Sequence, residues 1–180
     1  NITEPLVQQA KNGDREAFSQ LVRLMMNRTV ALTYRMTGDR EAAKDLAQDS
    51  FVAAWQSLKD FRQEAAFDSW LLKIAHNKAL NYIAANQRKS AAQNEIQDRT
   101  EALRDDNRDK STQDKLLQSI LKFVGQLPPM QKSVFELRYY QNMPFADIAK
   151  ATGKAIGTVK THYREAVIKL RTYARQEGLV

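Results

Sequence analysis

Cysteine is absent from this 180-residue chain, which excludes disulfides and thiolate metal sites and is compatible with a reducing compartment. Histidine occurs only at His76 and His162, too far apart in sequence for a local metal pair. No apolar run approaches the roughly 20 residues needed to span a bilayer. No signal peptide is evident either, so a soluble, cytoplasmic protein is expected. The chain opens on Asn1 rather than Met, and a longer reading frame is therefore expected. Gly-rich phosphate loops, nucleophile elbows and serine–histidine motifs are also missing. The carboxylates are spaced as helix caps and solubilising groups. No enzyme is expected, and no catalytic residue, cofactor, metal or small-molecule substrate. Only four prolines interrupt the chain and alternating β-branched runs are few, which leaves an all-α fold.

What is present is positive charge, unevenly spread. The net charge is +7, which favours a polyanionic partner without proving one. Residues 1–88 carry twelve basic and ten acidic groups, residues 89–126 seven of each, and residues 127–180 nine against four. The surplus lies in the last third. There Pro144 is preset for the opening turn of a short helix through Thr152, and Gly153 takes the left-handed position that ends it. A long basic helix follows from Gly157 to Gln176. Val159, Tyr163, Ala166, Val167 and Leu170 form its apolar stripe, so Lys160, Thr161, Arg164 and Arg171 must point elsewhere. A short helix, a tight turn and a basic second helix make a helix-turn-helix suited to a DNA major groove. A solvated surface helix is the bland alternative.

Upstream, Asp14 caps a helix with a core stripe of Ala17, Phe18, Leu21, Val22 and Met25 that continues to Thr37-Gly38. Asp39 begins a third helix, in which Ala43, Leu46, Ala47, Ser50, Phe51, Ala54, Trp55 and Leu58 recur in steps of three and four. Phe61 to Ala66 breaks the pattern. Asp68 then caps a fourth helix containing Trp70, Leu71, Ile74, Ala75 and Ile83. From Asn86 to about Thr112 the apolar signal fails, which reads as a polar linker, extended or partly helical. It resumes at Leu116, Leu117, Ile120, Leu121 and Val124. Leu127-Pro128-Pro129 forces a turn, and a helix through Val134, Phe135, Leu137 and Tyr140 leads to Asn142. The expected architecture is two small helical domains joined by that linker, with the helix-turn-helix in the C-terminal one.

Two further faces carry chemistry. Ser69, Lys73, His76, Asn77 and Asn81 fall on one side of the fourth helix, flanked by Lys78, with Tyr82 and Arg88 nearby. Amides and lysines with an adjacent aromatic suit hydrogen bonding to base edges and stacking on unpaired DNA, though an ordinary exposed face looks much the same. His76 reads as a surface or groove-facing polar residue rather than a base. Opposite the core of the third helix lie Asp45, Gln48, Asp49, Val52 and Gln56. Acidic groups there would repel DNA, so that face reads as a protein-partner surface or as a solvated one.

These pieces together resemble an extracytoplasmic-function (group IV) sigma factor of bacterial RNA polymerase. Asp45-Leu46-Ala47-Gln48-Asp49-Ser50-Phe51-Val52-Ala53-Ala54-Trp55 is similar to the region-two helix that docks on a coiled coil of the polymerase's largest subunit. Phe67-Asp68-Ser69-Trp70-Leu71-Leu72-Lys73-Ile74-Ala75-His76-Asn77 resembles the segment that melts and reads the −10 element. Leu127 to Phe135 followed by Gly157-Thr158-Val159-Lys160-Thr161-His162-Tyr163 resembles region four, which reads the −35 element. The loop Phe61-Arg62-Gln63-Glu64-Ala65-Ala66 resembles the one that captures a flipped base, making Arg62 and Gln63 candidates. The chain departs from the family's common pattern at His76, Asn81, Ala84, His162 and Glu165, which bears on the promoter that is read.

The resemblance implies a region-two domain at 1–86, a linker at 87–112 that threads through polymerase, and a region-four domain at 113–180. It assigns Asp45, Gln48, Asp49, Val52 and Gln56 to polymerase binding. Arg62, Gln63, Lys73, Asn77, Lys78, Asn81 and Tyr82 fall to the −10 element, and Thr158, Lys160, Thr161, His162, Arg164 and Arg171 to the −35 element. The implied partners are core RNA polymerase (coiled coil and flap), promoter DNA, and an anti-sigma factor, often one anchored in the inner membrane. The function implied is that of an alternative sigma factor directing promoter-specific initiation. The competing readings are a stand-alone helix-turn-helix regulator and a helical adaptor that binds only proteins.

Overall fold

The computed structural model describes residues 3–93, 119–120 and 122–178, and every regular element among them is helical. Four helices make the first half: α1 (Thr3–Lys11), α2 (Arg15–Thr37), α3 (Arg40–Ser57) and α4 (Phe67–Gln93). The second half contains α5 (Pro129–Phe135), α6 (Phe145–Thr152) and α7 (Ile156–Gln176). The helix limits follow local chemistry. The carboxylate of Asp14 accepts from the N–H groups of Glu16 and Ala17, and that of Asp39 from Glu41 and Ala42, satisfying donors that a helix start leaves free. Gly38, at φ 74°, and Gly153, at φ 66°, end α2 and α6 in the left-handed region.

Helix α2 packs against α1, α3 and α4. Ala43, Ala47 and Ala54 are fully buried, and side chains this small let α3 lie close to α2. Thr33 uses that closeness, donating its hydroxyl to the carbonyl of Ala43 at 2.8 Å. Phe61 and Phe67 are buried beside half-buried Trp70, closing the bottom of the bundle around the α3–α4 loop. The second half does not stand apart from this core. Val134, Leu137, Met143, Ile148, Ala149, Ala151 and Val159 join the same buried cluster as Leu21, Leu32, Leu71 and Ala75. A smaller cluster of Val124, Leu127, Phe135 and Ala166 lies beneath α7.

Several expectations are corrected. Helix α4 runs on through residues 87–93, the first stretch of a linker expected to be extended or partly helical, with neither glycine nor proline to stop it. Residues 94–112 of that linker, and Leu116, Leu117 and Leu121 of the apolar segment after it, lie outside the described residues. Asp68 does not cap α4, which starts at Phe67, and its carboxylate pairs with Arg28 at 2.8 Å. The helix expected through Tyr140 is α-helical to Phe135 and continues over Glu136–Tyr140 as a wider π turn. His76 and Ser69 are not on an exposed face: they are 1% and 8% exposed. Helix α4 is packed from more than one side, so its buried arc is wider than its apolar stripe.

Burial holds the His76 imidazole neutral, lowering its pKa to about 4, with the Asn77 side chain acting weakly in the opposite sense. In the unfolded chain it would titrate near 6.5. Its neutral form therefore costs nothing above that value, and stability is lost as pH falls from about 6.5 towards 4. The full gap corresponds to about 3 kcal/mol. Replacing His76 with Leu should remove this component, so the stability difference between variant and wild type should grow in the variant's favour between pH 7 and pH 4.5. Urea titrations at the two pH values measure it. A difference independent of pH would mean that the native imidazole takes up a proton as readily as the unfolded one.

Candidate nucleic-acid interface

Helix α7 presents the face its sequence pattern requires. Val159 and Ala166 are buried and Tyr163, Val167 and Leu170 half-buried, while Thr158, Lys160, Thr161, Arg164 and Arg171 are exposed. Ala155 precedes the helix without a side-chain cap, which leaves first-turn N–H groups for an incoming acceptor, at the end where the helix dipole favours negative charge. His162 is only half exposed, with Nδ1 3.9 Å from a carboxylate oxygen of Glu165. The Thr161 hydroxyl donates back to the carbonyl of Gly157 at 3.0 Å, so towards a ligand it offers lone pairs.

The rotation of α7 is fixed by a polar brace. Buried Gln131 on α5 donates to Glu165 at 2.6 Å and accepts from the Lys169 ammonium at 2.9 Å. These two α7 charges are thus used to hold the helix against α5. Phe123 stacks on Tyr173 further along, with ring centroids 4.3 Å apart. Only the remaining cations on the opposite face stay free for a partner.

The second candidate face lies along α4 and the loop before it. Arg62, Gln63, Asn77 and Asn81 are exposed; Lys73, Lys78 and Tyr82 are half-buried. Tyr82 donates its hydroxyl to Asp39 at 3.2 Å; the Ala42 N–H above all, with the Tyr82 hydroxyl and the Glu41 N–H, holds the Asp39 carboxyl below its usual range. The loop is tied down at two points. Lys11 donates to the carbonyl of Phe61 at 2.6 Å, and Gln63 donates to Glu4 at 3.1 Å. Gln63 adopts φ 57°, a left-handed conformation that is uncommon for a residue with a side chain. Beside it, Arg62, Trp70 and Lys73 line a cavity of about 270 Å³ whose far wall is Asp147 and Lys150 of α6. Sequence inspection could not anticipate that wall, because about eighty residues separate it from the loop and no local pattern joins them.

On α3, Asp45, Gln48, Asp49 and Gln56 are exposed and Val52 is 56% exposed. Next to Val52 runs an apolar groove of about 330 Å³ between α2 and α3, lined by Arg15, Phe18, Phe51 and Trp55. The apolar periodicity placed Phe18 and Trp55 in the core. They are half-buried, in contact at 4.9 Å, and form the floor of this surface. Among the described residues no group of His, Asp or Glu could hold a metal ion, and no helix is long and apolar enough to cross a membrane.

Comparison with known proteins places both halves. Residues 21–89 match the family model for sigma-70 region 2, and residues 117–170 match that for sigma-70 region 4. The chain is 30% identical to the ECF RNA polymerase sigma-E factor of Haemophilus influenzae over 166 residues, covering 88% of this chain and 87% of the other. It is 29% identical to the RNA polymerase sigma-H factor of Pseudomonas aeruginosa, with 92% of each chain covered. Among solved structures, the sigma factor RpoE of Bartonella quintana, determined with the anti-sigma factor NepR, has the same fold. Its TM-score is 0.71 at 22% identity, over 88% of this chain and 96% of that one.

The Gln131 brace leads to a measurable expectation. Gln131→Leu keeps the volume but removes both bonds to α7. Because Glu165 and Lys169 can reach water, the loss should be about 1–2 kcal/mol. Urea unfolding reads the stability, and amide exchange in the first turns of α7 reads its seating, which should loosen. If neither changes, apolar packing alone seats the helix.

Proposed function

This chain belongs to the extracytoplasmic-function sigma factors of bacterial RNA polymerase, and on that basis we propose how its faces divide the work of binding core polymerase and directing promoter-specific initiation. The observation that carries the reading is the coexistence of two exposed faces of opposite character. One is the cationic face of α7; the other is the acidic, amide-rich face of α3 with its apolar groove. The first suits DNA and the second suits a protein. A stand-alone regulator is not favoured, since the chain is similar over 88% of its length to a polymerase sigma factor.

In this reading, residues 1–86 form the module that docks on the polymerase coiled coil and handles the −10 element. Residues 113–180 form the module that meets the flap and reads the −35 element. Asp45, Gln48, Asp49, Val52 and Gln56 contact polymerase, and the groove at Phe18 and Trp55 takes an apolar side chain from it. Thr158, Lys160, Thr161, His162 and Arg164 face base edges near the start of α7, while Arg171, later on the helix, meets phosphate. Arg62, Gln63, Lys73, Asn77, Lys78, Asn81 and Tyr82 take the unpaired −10 strand. Opening a duplex costs about 1.4 kcal/mol per base-pair step, and stacking returns roughly 1–3 kcal/mol per base. A few captured bases therefore offset most of the melting. Core polymerase holds the two modules at promoter spacing and converts two weak contacts into an intramolecular pair. It also supplies the catalysis. The factor itself is not an enzyme, works in the cytoplasm where polymerase is, and is restrained by an anti-sigma partner.

Run-off transcription with purified core polymerase tests this directly. Adding the chain should produce transcripts that core alone does not make. Gln48→Ala combined with Asp49→Arg should weaken core binding and lower that yield without changing the melting temperature, since both positions are exposed and distant from the core. Unchanged affinity for core would remove α3 from the interface.

A second expectation separates base reading from phosphate contact. Arg164→Ala should cost about 1–3 kcal/mol and relax the preference at one or two −35 base pairs. Arg171→Ala should weaken binding about equally for all sequences and lower the salt slope by about one unit. Selection of preferred −35 sequences by each variant holoenzyme distinguishes them. Altered base preference in Arg171→Ala alone would move the reading site towards the carboxyl end of α7.

A further inference from the structure

Helix α1 precedes the stretch matched to sigma-70 region 2, which begins at residue 21. It is nonetheless fixed in the core of the first half: Val7 and Ala10 are 1% and 3% exposed and belong to the same cluster as Leu21, Phe61 and Phe67. From that seat it reaches the α3–α4 loop with two polar side chains. Lys11, in its last turn, donates to the Phe61 carbonyl at 2.6 Å, and Glu4, in its first turn, accepts from the Gln63 side chain at 3.1 Å. The 3-10 turn Leu58–Asp60 ends at Phe61. The Lys11 ammonium therefore sits where a helical turn leaves carbonyl groups unpaired and its dipole favours a cation.

Packing alone does not fix the loop. The rings of Phe61 and Phe67 anchor its ends, but Arg62, Gln63, Glu64 and Ala66 are exposed. Cavities lie on both sides. The larger, of about 270 Å³, is lined by Arg62, Trp70 and Lys73; the smaller, of about 140 Å³, lies towards α1 and is lined by Glu4, Val7 and Gln63. Phe61 and Ala65 border both. A segment with space on either side can shift without breaking close contacts, as a packed core cannot. Gln63 is moreover left-handed, at φ 57°, a conformation that a residue with a side chain keeps only where its surroundings hold it. The bond from Lys150 to the Glu64 carbonyl comes from the other half of the chain; the two from α1 belong to the half that carries the loop.

We propose that Lys11 and Glu4 are positioning residues for promoter reading: they set the shape of residues 62–66 and so decide which unpaired base of the −10 strand the loop accepts. Lys11 fixes where the chain leaves the 3-10 turn. Glu4 holds Gln63 towards α1, which leaves Arg62 on the side of the larger cavity. The proposal rests on the assignment of this loop to the −10 strand made above.

Holoenzyme assembled from the full chain tests this by selecting −10 sequences from a randomised promoter pool, with permanganate reactivity of unpaired thymines reading the opening step. Lys11→Met keeps the apolar stem and removes the charge. Glu4→Ala removes the acceptor at an exposed position, where folding is not at risk. Each should reduce the ratio of preferred to disfavoured bases at one position of the unpaired strand by about tenfold, the effect of one hydrogen bond to a charged group. Opening should slow by a similar factor, with closed-complex affinity unchanged. Lys11→Arg and Glu4→Gln, which retain a donor and an acceptor, should return most of the preference. A lower melting temperature with an unchanged base preference makes α1 a structural prop only and overturns the proposal. So does a flattened preference that the conservative variants fail to return. Arg62→Ala keeps the two ideas apart. If it changes the selected base while both α1 variants leave it as it was, the positioning role falls and the loop assignment stands. If none of the three changes it although core-dependent initiation is normal, the loop assignment falls and the proposal with it.

Discussion

The faces of α3 and α4 are positioned by α2, a 23-residue helix that packs on α1, α3 and α4 and also bears arginines that bond to Gln141 and Glu136 of the second half. Its inner residues, Leu21, Thr29, Leu32 and Thr33, are fully buried, so it cannot rotate without opening cavities on several sides at once. That rigidity fixes the register of α3 through the alanine seam, and with it the direction in which Asp49 and Val52 point. The same helix presents Arg28 and Arg35 two turns apart, the spacing at which Gln141 and Glu136 receive them.

The chain's positive charge is less available than its total of +7 suggests. Lys11 is engaged by the Phe61 carbonyl, Lys132 by that of Met36, Lys150 by that of Glu64 and Lys169 by Gln131. Arg28 is engaged by Gln141 and Asp68, and Arg35 by Glu136. These groups shape the scaffold. On the outer face of α7, Lys160, Arg164 and Arg171 remain exposed.

Burial also sets protonation where charge patterns alone suggest otherwise. His76 looks like a polar handle on α4, yet its surroundings hold it neutral with a pKa of about 4. Glu136 is pushed upward by burial, and Arg35, Gln141 and Lys132 oppose that push. The Lys132 ammonium is lowered by its own burial, and Glu136 counters this. The buried groups at the junction therefore depend on one another for their charge, and breaking one contact alters its neighbours.

Local and periodic features were legible in the sequence alone. The Asp14 and Asp39 caps, the Gly38 and Gly153 stops, the α3 core stripe and the two-sidedness of α7 all arise from interactions within a few residues, and helical spacing records them. So does the outward placement of Asp45, Gln48, Asp49, Val52, Lys160, Thr161 and Arg164. What the sequence could not determine depends on contacts between distant segments. The burial of His76 and Ser69, the diversion of Asp68 from cap to ion pair, and the walling of the α3–α4 loop by α6 each need a partner from another element. So does the pairing of Arg28 and Arg35, which look like solvated helix charges until the π turn brings Gln141 and Glu136 to them. A side chain's neighbours along a helix are set by its spacing, but its neighbours across a core are set by how whole helices pack. Only the tertiary structure decided which charges stay exposed and which bond to other elements of the fold.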